Sequence, residues 1–156
     1  MSTRTHTPTD SLVEMTEIVL PNDTNTQGNI LGGRVMHLID IAAAMSAIRH
    51  CRCPVNTVHV DKISFENPIP LGHFVVLKAQ VNSVGRTSME VGVKVWSEDP
   101  YSGERLHTSS AYLTFVALDE NRQPVRVPEL TLETDDERRR HKEAKDRRAA
   151  NLADRS

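Results

Sequence analysis

The chain is predicted to be an α+β domain: a long antiparallel β-sheet wrapped around one central α-helix, with a charged C-terminal helical tail behind it. Three observations carry that expectation. The element order runs one short strand, one strongly apolar helix, then four long strands. The long strands alternate apolar and polar residues and are mostly joined by short turns, which implies an antiparallel meander. A single apolar helix is covered most economically by one curved sheet. An open α+β sandwich satisfies the same element order.

Each element has its own signal. Residues 1–12 are polar and read as a loose arm ahead of a domain over 13–130. MTEIVLP (Met15 to Pro21) is a short strand ended by proline, followed by the turn-rich NDTNTQGN. From Leu31 to His50 the pattern is helical, with Val35, Met36, Ile39, Ala42, Ala43 and Ile48 recurring at helical spacing. Alanine and other small residues fill much of the remainder. The helix is thus apolar nearly all round and belongs in the interior. After Pro54 come NTVHVDKISF (Asn56 to Phe65), the breaker NPIPLG and FVVLKAQVNSV (Phe74 to Val84). The turn GRTS leads to SMEVGVKVWSE (Ser88 to Glu98), and the loop DPYSG to RLHTSSAYLTFVAL (Arg105 to Leu118). Val91, Val93 and Val95 alternate with Gly92, Lys94 and Trp96, the period of a half-buried strand. Residues 131–156 are charged, acids leading and bases following, as a helix dipole prefers; they read as a solvated helical tail.

Composition narrows the function classes. A net charge of −2 carries no basic excess. Arg138, Arg139, Arg140 and Lys142 are interleaved with acids and lack aromatic neighbours, which argues against a nucleic-acid partner. The first residues lack the apolar run of a signal peptide, and no stretch is long enough to enter a membrane, so a cytoplasmic protein is expected. Cys51 and Cys53 are the two cysteines, too few and too close for a disulfide framework. His50 and His59 lie nearby, but no second well-spaced ligand pair is visible, so ordinary thiols and no metal are expected.

The chemistry concentrates in NTQGNILGGRVMHLIDIAAAMSAI. Gly32 and Gly33 fall where the helix begins, and the first N–H groups of a helix have no internal partner. They carry the positive end of the dipole and suit a carbonyl oxygen that gains charge during acyl transfer. The plainer reading is a turn into the helix, and the glycines alone do not separate the two. Asp40 is a lone carboxylate in the apolar run; the plain account pairs it with His37 on a narrow solvated strip. Gly33 and Asp40 lie on nearly the same helix face, about 10.5 Å apart along the axis. One carbonyl cannot touch both groups of a single helix. A site built from these residues therefore requires two copies of it.

The segment NDTNTQGNILGGRVMHLIDIAAA resembles the hotdog-fold acyl-CoA thioesterases, specifically the branch of YciA and the brain (cytosolic) acyl-CoA hydrolases. The likeness continues through VDKISFENPIPLGHFV, VNSVGRTSMEVGVKVWSE and YLTFVALDENRQPVRVPEL, covering roughly residues 15–130 in order. The resemblance implies a hotdog fold and hydrolysis of acyl-CoA to a free acid and coenzyme A. It implies that Asp40 activates water or attacks the thioester, that Asn25 opposes it across a dimer interface, and that the Gly33 amide, beside Gly32, receives the oxyanion. It implies that the turn Gly85, Arg86, Thr87 and Ser88 contacts the nucleotide, Arg86 meeting phosphate; a hairpin turn with a solvated arginine is the alternative. No cofactor is implied, because coenzyme A is part of substrate and product. Partners implied are acyl-CoA and further copies of the chain, a dimer and beyond it a trimer of dimers. Many relatives carry histidine where Leu31 stands here, which weakens any hydratase chemistry. Phe65 and Trp96 read as packing residues. A non-catalytic acyl-CoA sensor on the same fold is the competing class.

Overall fold

Valines at alternate positions need a sheet with one dry face, and the structure builds five antiparallel strands on that pattern. It is a computed structural model describing residues 6–154, apart from the side chains of Lys62 and Asp154. The elements are β1 (Val13–Ile18), α1 (Gly32–Cys51), β2 (Val55–Phe65), β3 (Phe74–Val84), β4 (Ser88–Glu98), β5 (Arg105–Ala117) and α2 (Asp135–Asp154). Single 3-10 turns at Pro8–Ser11 and Pro21–Asp23 flank β1. Among the described residues no helix is long and apolar enough to cross a membrane.

One sheet face closes on α1. It is made of Val75, Leu77, Ala79 and Val81, then Met89, Val91, Val93 and Val95, then Ala111, Leu113, Phe115 and Ala117. Opposite them α1 buries Val35, Leu38, Ile39, Ala42, Ala43 and Ala47. Fully burying a large apolar side chain stabilises by roughly 1.5–3 kcal/mol, so this interface dominates the fold's favourable energy. The helix ends where Arg52 turns left-handed at φ 54 and its N–H bonds Ile48 O.

Four expectations are corrected. The strands do not form one meander. β3, β4 and β5 follow in turn, but the sheet order is β1-β3-β4-β5-β2, so β2 is an edge strand paired with β5. The prolines of NPIPLG prevent a tight hairpin into β3. That segment bonds back to the approach of α1 instead, with Ile30 N–H on Ile69 O at 2.8 Å and Leu71 N–H on Gly28 O at 2.9 Å. Secondly, α1 is not interior on all sides. Ile41, Met45 and Ile48 are 36%, 38% and 41% exposed, because one sheet reaches only one side of a cylinder. Thirdly, residues 6–12 are not loose; residues 1–5 lie outside the described residues. Ser11 is fully buried, its hydroxyl donating to Pro8 O at 2.7 Å and accepting from Val81 N–H at 2.9 Å. His6 bonds through its backbone to Glu129 and Thr131.

Lastly, the charged tail is docked, not merely solvated. Thr134 and Glu137 cap α2 reciprocally: the hydroxyl accepts from Glu137 N–H at 3.1 Å and the carboxylate from Thr134 N–H at 3.1 Å. The helix lies on the sheet face turned away from α1. There Arg147 grips Glu90 through two bonds of 3.0 and 2.7 Å and lies 3.5 Å over the Tyr112 ring. Lys145 reaches Val84 O at 2.9 Å, and Ala144 is buried. The outer positions of β4 are polar, so a charged helix is the cover that suits them.

Ser11→Ala leaves the N–H of Val81 without a partner in the core. It should cost about 1–3 kcal/mol in urea unfolding, and an unchanged midpoint would detach residues 6–12 from the fold.

Candidate active site

Asp40 stands midway along α1 on its uncovered side. Its Oδ1 accepts a hydrogen bond of 3.1 Å from Thr57 Oγ1 on β2. Thr57 pairs across the sheet with Phe115, a core residue, and the register slips between Thr57 and His59. That slip lets Thr57 turn toward the helix while His59 turns to the other face. The partner of Asp40 is therefore a strand hydroxyl, and no bond to His37 forms among the described residues. Asp40 is exposed in the single chain, and its other carboxylate oxygen has no hydrogen-bond partner among the described residues.

Asn25 sits in the turn before α1. Its Oδ1 accepts from Gln27 N–H at 2.9 Å and Asn29 N–H at 3.2 Å, which orients the amide and leaves Nδ2 free to donate. Asp23 ties the same turn to the helix: its carbonyl accepts from Leu31 N–H at 2.8 Å and its carboxylate lies 3.3 Å from Arg34 Nε. The first N–H groups bonded into the helix are those of Arg34 and Val35, both to Leu31 O. The amides of Gly32 and Gly33 come before that ladder. Gly33 has an ordinary helical backbone, and a Cβ there would meet nothing within 4 Å. Neither strain nor packing within one chain asks for glycine at 33, and the space over it is open. A cleft of about 260 Å³ opens beside Gly32, lined by Val35, Phe65 and Ile69. Phe65, expected in the core, is half-exposed at its mouth.

The turn Gly85 to Ser88 closes on Gly85 N–H to Ser88 O at 2.8 Å. Arg86 is exposed, and its carbonyl accepts from Val127 N–H at 3.0 Å. A second arginine joins it from α2: Arg148 Nη1 lies 3.4 Å from Ser88 Oγ, and a Cβ on Gly85 would come within 2.4 Å of that Nη1. Asp40 and Thr57 are brought together; Gly33 and Asp40 of one chain are not, being seven residues apart on one rigid helix. His59 and Asp61 face α2, where Asp61 accepts from Asn151 at 3.4 Å.

Sequence reasoning missed Thr57 and Arg148. Thr57 carries no motif of its own, and its importance depends on which way a bulged edge strand turns. Arg148 was hidden in a tail of similar charges. Burial pushes the Cys51 thiol up to about 12, which withholds the reactive thiolate. Burial also lowers the pKa of His50, whose Nε2 donates to Pro128 O at 2.8 Å. Among the described residues no three His, Cys, Asp or Glu side chains converge as metal ligands.

A curved sheet around one helix, with free amides at its start and a carboxylate midway, is the hotdog thioesterase fold. The profile of the Thioesterase superfamily matches residues 27–104, and the chain belongs to that family. Its relatives include the acyl-CoA thioester hydrolase YkhA of Bacillus subtilis, 44% identical over 82% of this chain and 74% of that protein. An apo-hexameric acyl-CoA thioesterase superposes with a TM-score of 0.94 at 35% identity, covering 98% of each chain, so α2 is part of the shared fold. Acyl-CoA hydrolase from Staphylococcus aureus, solved with butyryl coenzyme A and coenzyme A, gives 0.91 at 32% identity over 97% of this chain and 93% of that one. Alanine variants of an asparagine, an aspartate and a threonine of that enzyme have also been solved. Along its chain the three stand fifteen and then seventeen residues apart, as do Asn25, Asp40 and Thr57 here.

Gly33→Ala should keep or raise the thermal midpoint, since alanine suits a helix better than glycine, while hydrolysis of acyl-CoA falls at least tenfold. Circular dichroism and a thiol-release assay check the two halves. Loss of the fold would make the glycine structural.

Proposed function

We propose that the protein is an acyl-CoA thioester hydrolase whose reacting groups come from two copies of the chain. The observation that carries this reading is the Thr57–Asp40 hydrogen bond on a helix side left uncovered. One carboxylate oxygen is held and the other is free to take a proton from water. The acyl carbonyl rests on the Gly33 amide of the second copy. Water, positioned by the Nδ2 of that copy's Asn25, attacks the carbonyl carbon as its proton passes to Asp40. The tetrahedral oxyanion draws on the helix-start amide, whose dipole needs no rearrangement during reaction. Collapse breaks the C–S bond, and the departing coenzyme A sulfur takes the proton back from Asp40. No cofactor takes part; coenzyme A arrives with the substrate and leaves as product.

Two features favour the paired arrangement. The exposed stripe of Ile41, Met45 and Ile48 runs beside Asp40, and edge strand β2 adds exposed Val58 and Val60. An edge strand next to an apolar stripe is a natural surface for pairing with a second copy. Two structural neighbours, the apo-hexameric acyl-CoA thioesterase and a hexameric thioesterase from Yersinia pestis, are hexamers, and a trimer of such dimers accords with them. Arg86 and Arg148 at the β3–β4 turn would meet the phosphates of coenzyme A.

Asp40→Asn should lower kcat by about two to four orders of magnitude while acyl-CoA still binds, as seen by thiol release and calorimetry in parallel. Wild-type protein that binds octanoyl coenzyme A without releasing thiol would instead mark a sensor. Thr57→Val, equal in shape, should reduce kcat by a smaller factor with KM little changed. A variant as active as the wild type would remove Thr57 from the site.

A further inference from the structure

The outer face of the sheet and α2 do not meet everywhere. Between them lies a cleft of about 190 Å³, room for about six waters at ~30 Å³ each. Asn82 lines it and is only 4% exposed, yet among the described residues its side-chain amide makes no hydrogen bond. Buried amides of this kind are ordinarily satisfied, by protein, water or ligand. Alternation along β3 puts Asn82 on this face after Lys78 and Gln80, and the register slip that follows it turns Ser83 the same way, opposite Glu90. Gly92 forms the floor beneath it: a Cβ there would come within 2.5 Å of Asn82 Nδ2 and 3.5 Å of Tyr112. Glycine at 92 thus makes room for the Asn82 amide, which borders the cleft with no protein partner among the described residues.

Its charge is lopsided. Arg147 is matched by Glu90 at 2.7 Å, Arg139 by Asp136 and Glu143 at 3.7 and 3.5 Å, and Lys78 by Glu14 at 3.8 Å. Lys94 and Arg140 also line the cleft and have no such partner among the described residues. Two unmatched cations and a free amide suit a dianion better than a single carboxylate, and a phosphate monoester carries about −1.5 to −2 at neutral pH. Trp96 and Tyr112 supply apolar wall.

We propose that this cleft binds a phosphate-bearing small anion, held by Lys94, Arg140 and the Nδ2 of Asn82. It lies across the sheet from Asp40, so it stands or falls apart from the hydrolytic reading. The phosphate has two possible sources, a free phosphate compound or coenzyme A itself, and the test separates them.

Trp96 is the single tryptophan and sits in the cleft wall, so its fluorescence reports occupancy directly. Full-length protein is titrated with inorganic pyrophosphate, and separately with coenzyme A, at ionic strength fixed with potassium chloride. A saturable change with pyrophosphate is expected. Its Kd should rise about tenfold or more in Lys94→Gln and in Arg140→Gln, and binding should vanish in Asn82→Asp, where a carboxylate opposes the anion. Neither lysine nor arginine has a structural partner to lose, and a melting curve on each variant verifies the fold. Coenzyme A that moves Trp96, with the same losses, would identify it as the carrier; coenzyme A that does not, beside pyrophosphate that does, would identify a free phosphate ligand. The proposal is overturned by no saturable change, by equal Kd in wild type and all three variants, or by a signal that follows a change in oligomer size, which would put a second copy in the cleft.

Discussion

Helix α1 offers two apolar sides, and the chain supplies one sheet. Val35, Leu38, Ile39 and the buried alanines take the sheet; Ile41, Met45 and Ile48 are left facing outward. About two-fifths of each side chain is still exposed, so covering the stripe is worth roughly 0.5–1 kcal/mol per residue, a standing incentive to associate. Asp40 belongs to that same stripe. Covered by a neighbour, its carboxylate would lose water and depend on what the protein provides. Thr57 already satisfies one of its oxygens. The geometry of the helix then does the rest, because a rigid rod keeps its own Gly33 amide too far from Asp40 for both to meet one carbonyl.

The two faces of the sheet have different chemistry, and each selected its own cover. The inner face is alternating valine, leucine and alanine and accepts an apolar helix without polar groups to satisfy. The outer face carries Glu90, Lys94 and Tyr112, and its helix is one of the most charged stretches of the chain. Arg147 shows how such a contact can hold: two hydrogen bonds to Glu90 and a ring beneath the guanidinium, both charges largely shielded from solvent. Exposed pairs such as Arg138–Asp135 on the far side of α2 add little by comparison.

Much of the fold was legible because periodicity is local. The bounds of β3 and β4 agree with their alternating runs, and α1 begins within a residue of where the glycines put it. The Gly33–Asp40 spacing already implied that one chain cannot build the proposed site. Thr57 was not legible. A threonine in an edge strand has no pattern, and only the slip at Val58 decides that its hydroxyl meets Asp40 while His59 turns away. Nor could the buried Ser11 be read from a polar arm, since its partner is an amide seventy residues later.

The sequence alone determined the kinds of element, the inward side of each strand, the apolar character of α1 and the motifs that mark the family. Those depend on neighbours within a turn or two, where side-chain spacing and backbone preference act directly. Tertiary structure alone decided that β2 crosses to the far edge, that Thr57 reaches Asp40, that α2 settles on the polar face and that Asn82 is left over an open cleft. Each is a choice between distant surfaces, settled by which hydrogen-bonding edge and which face remain free once the core has closed.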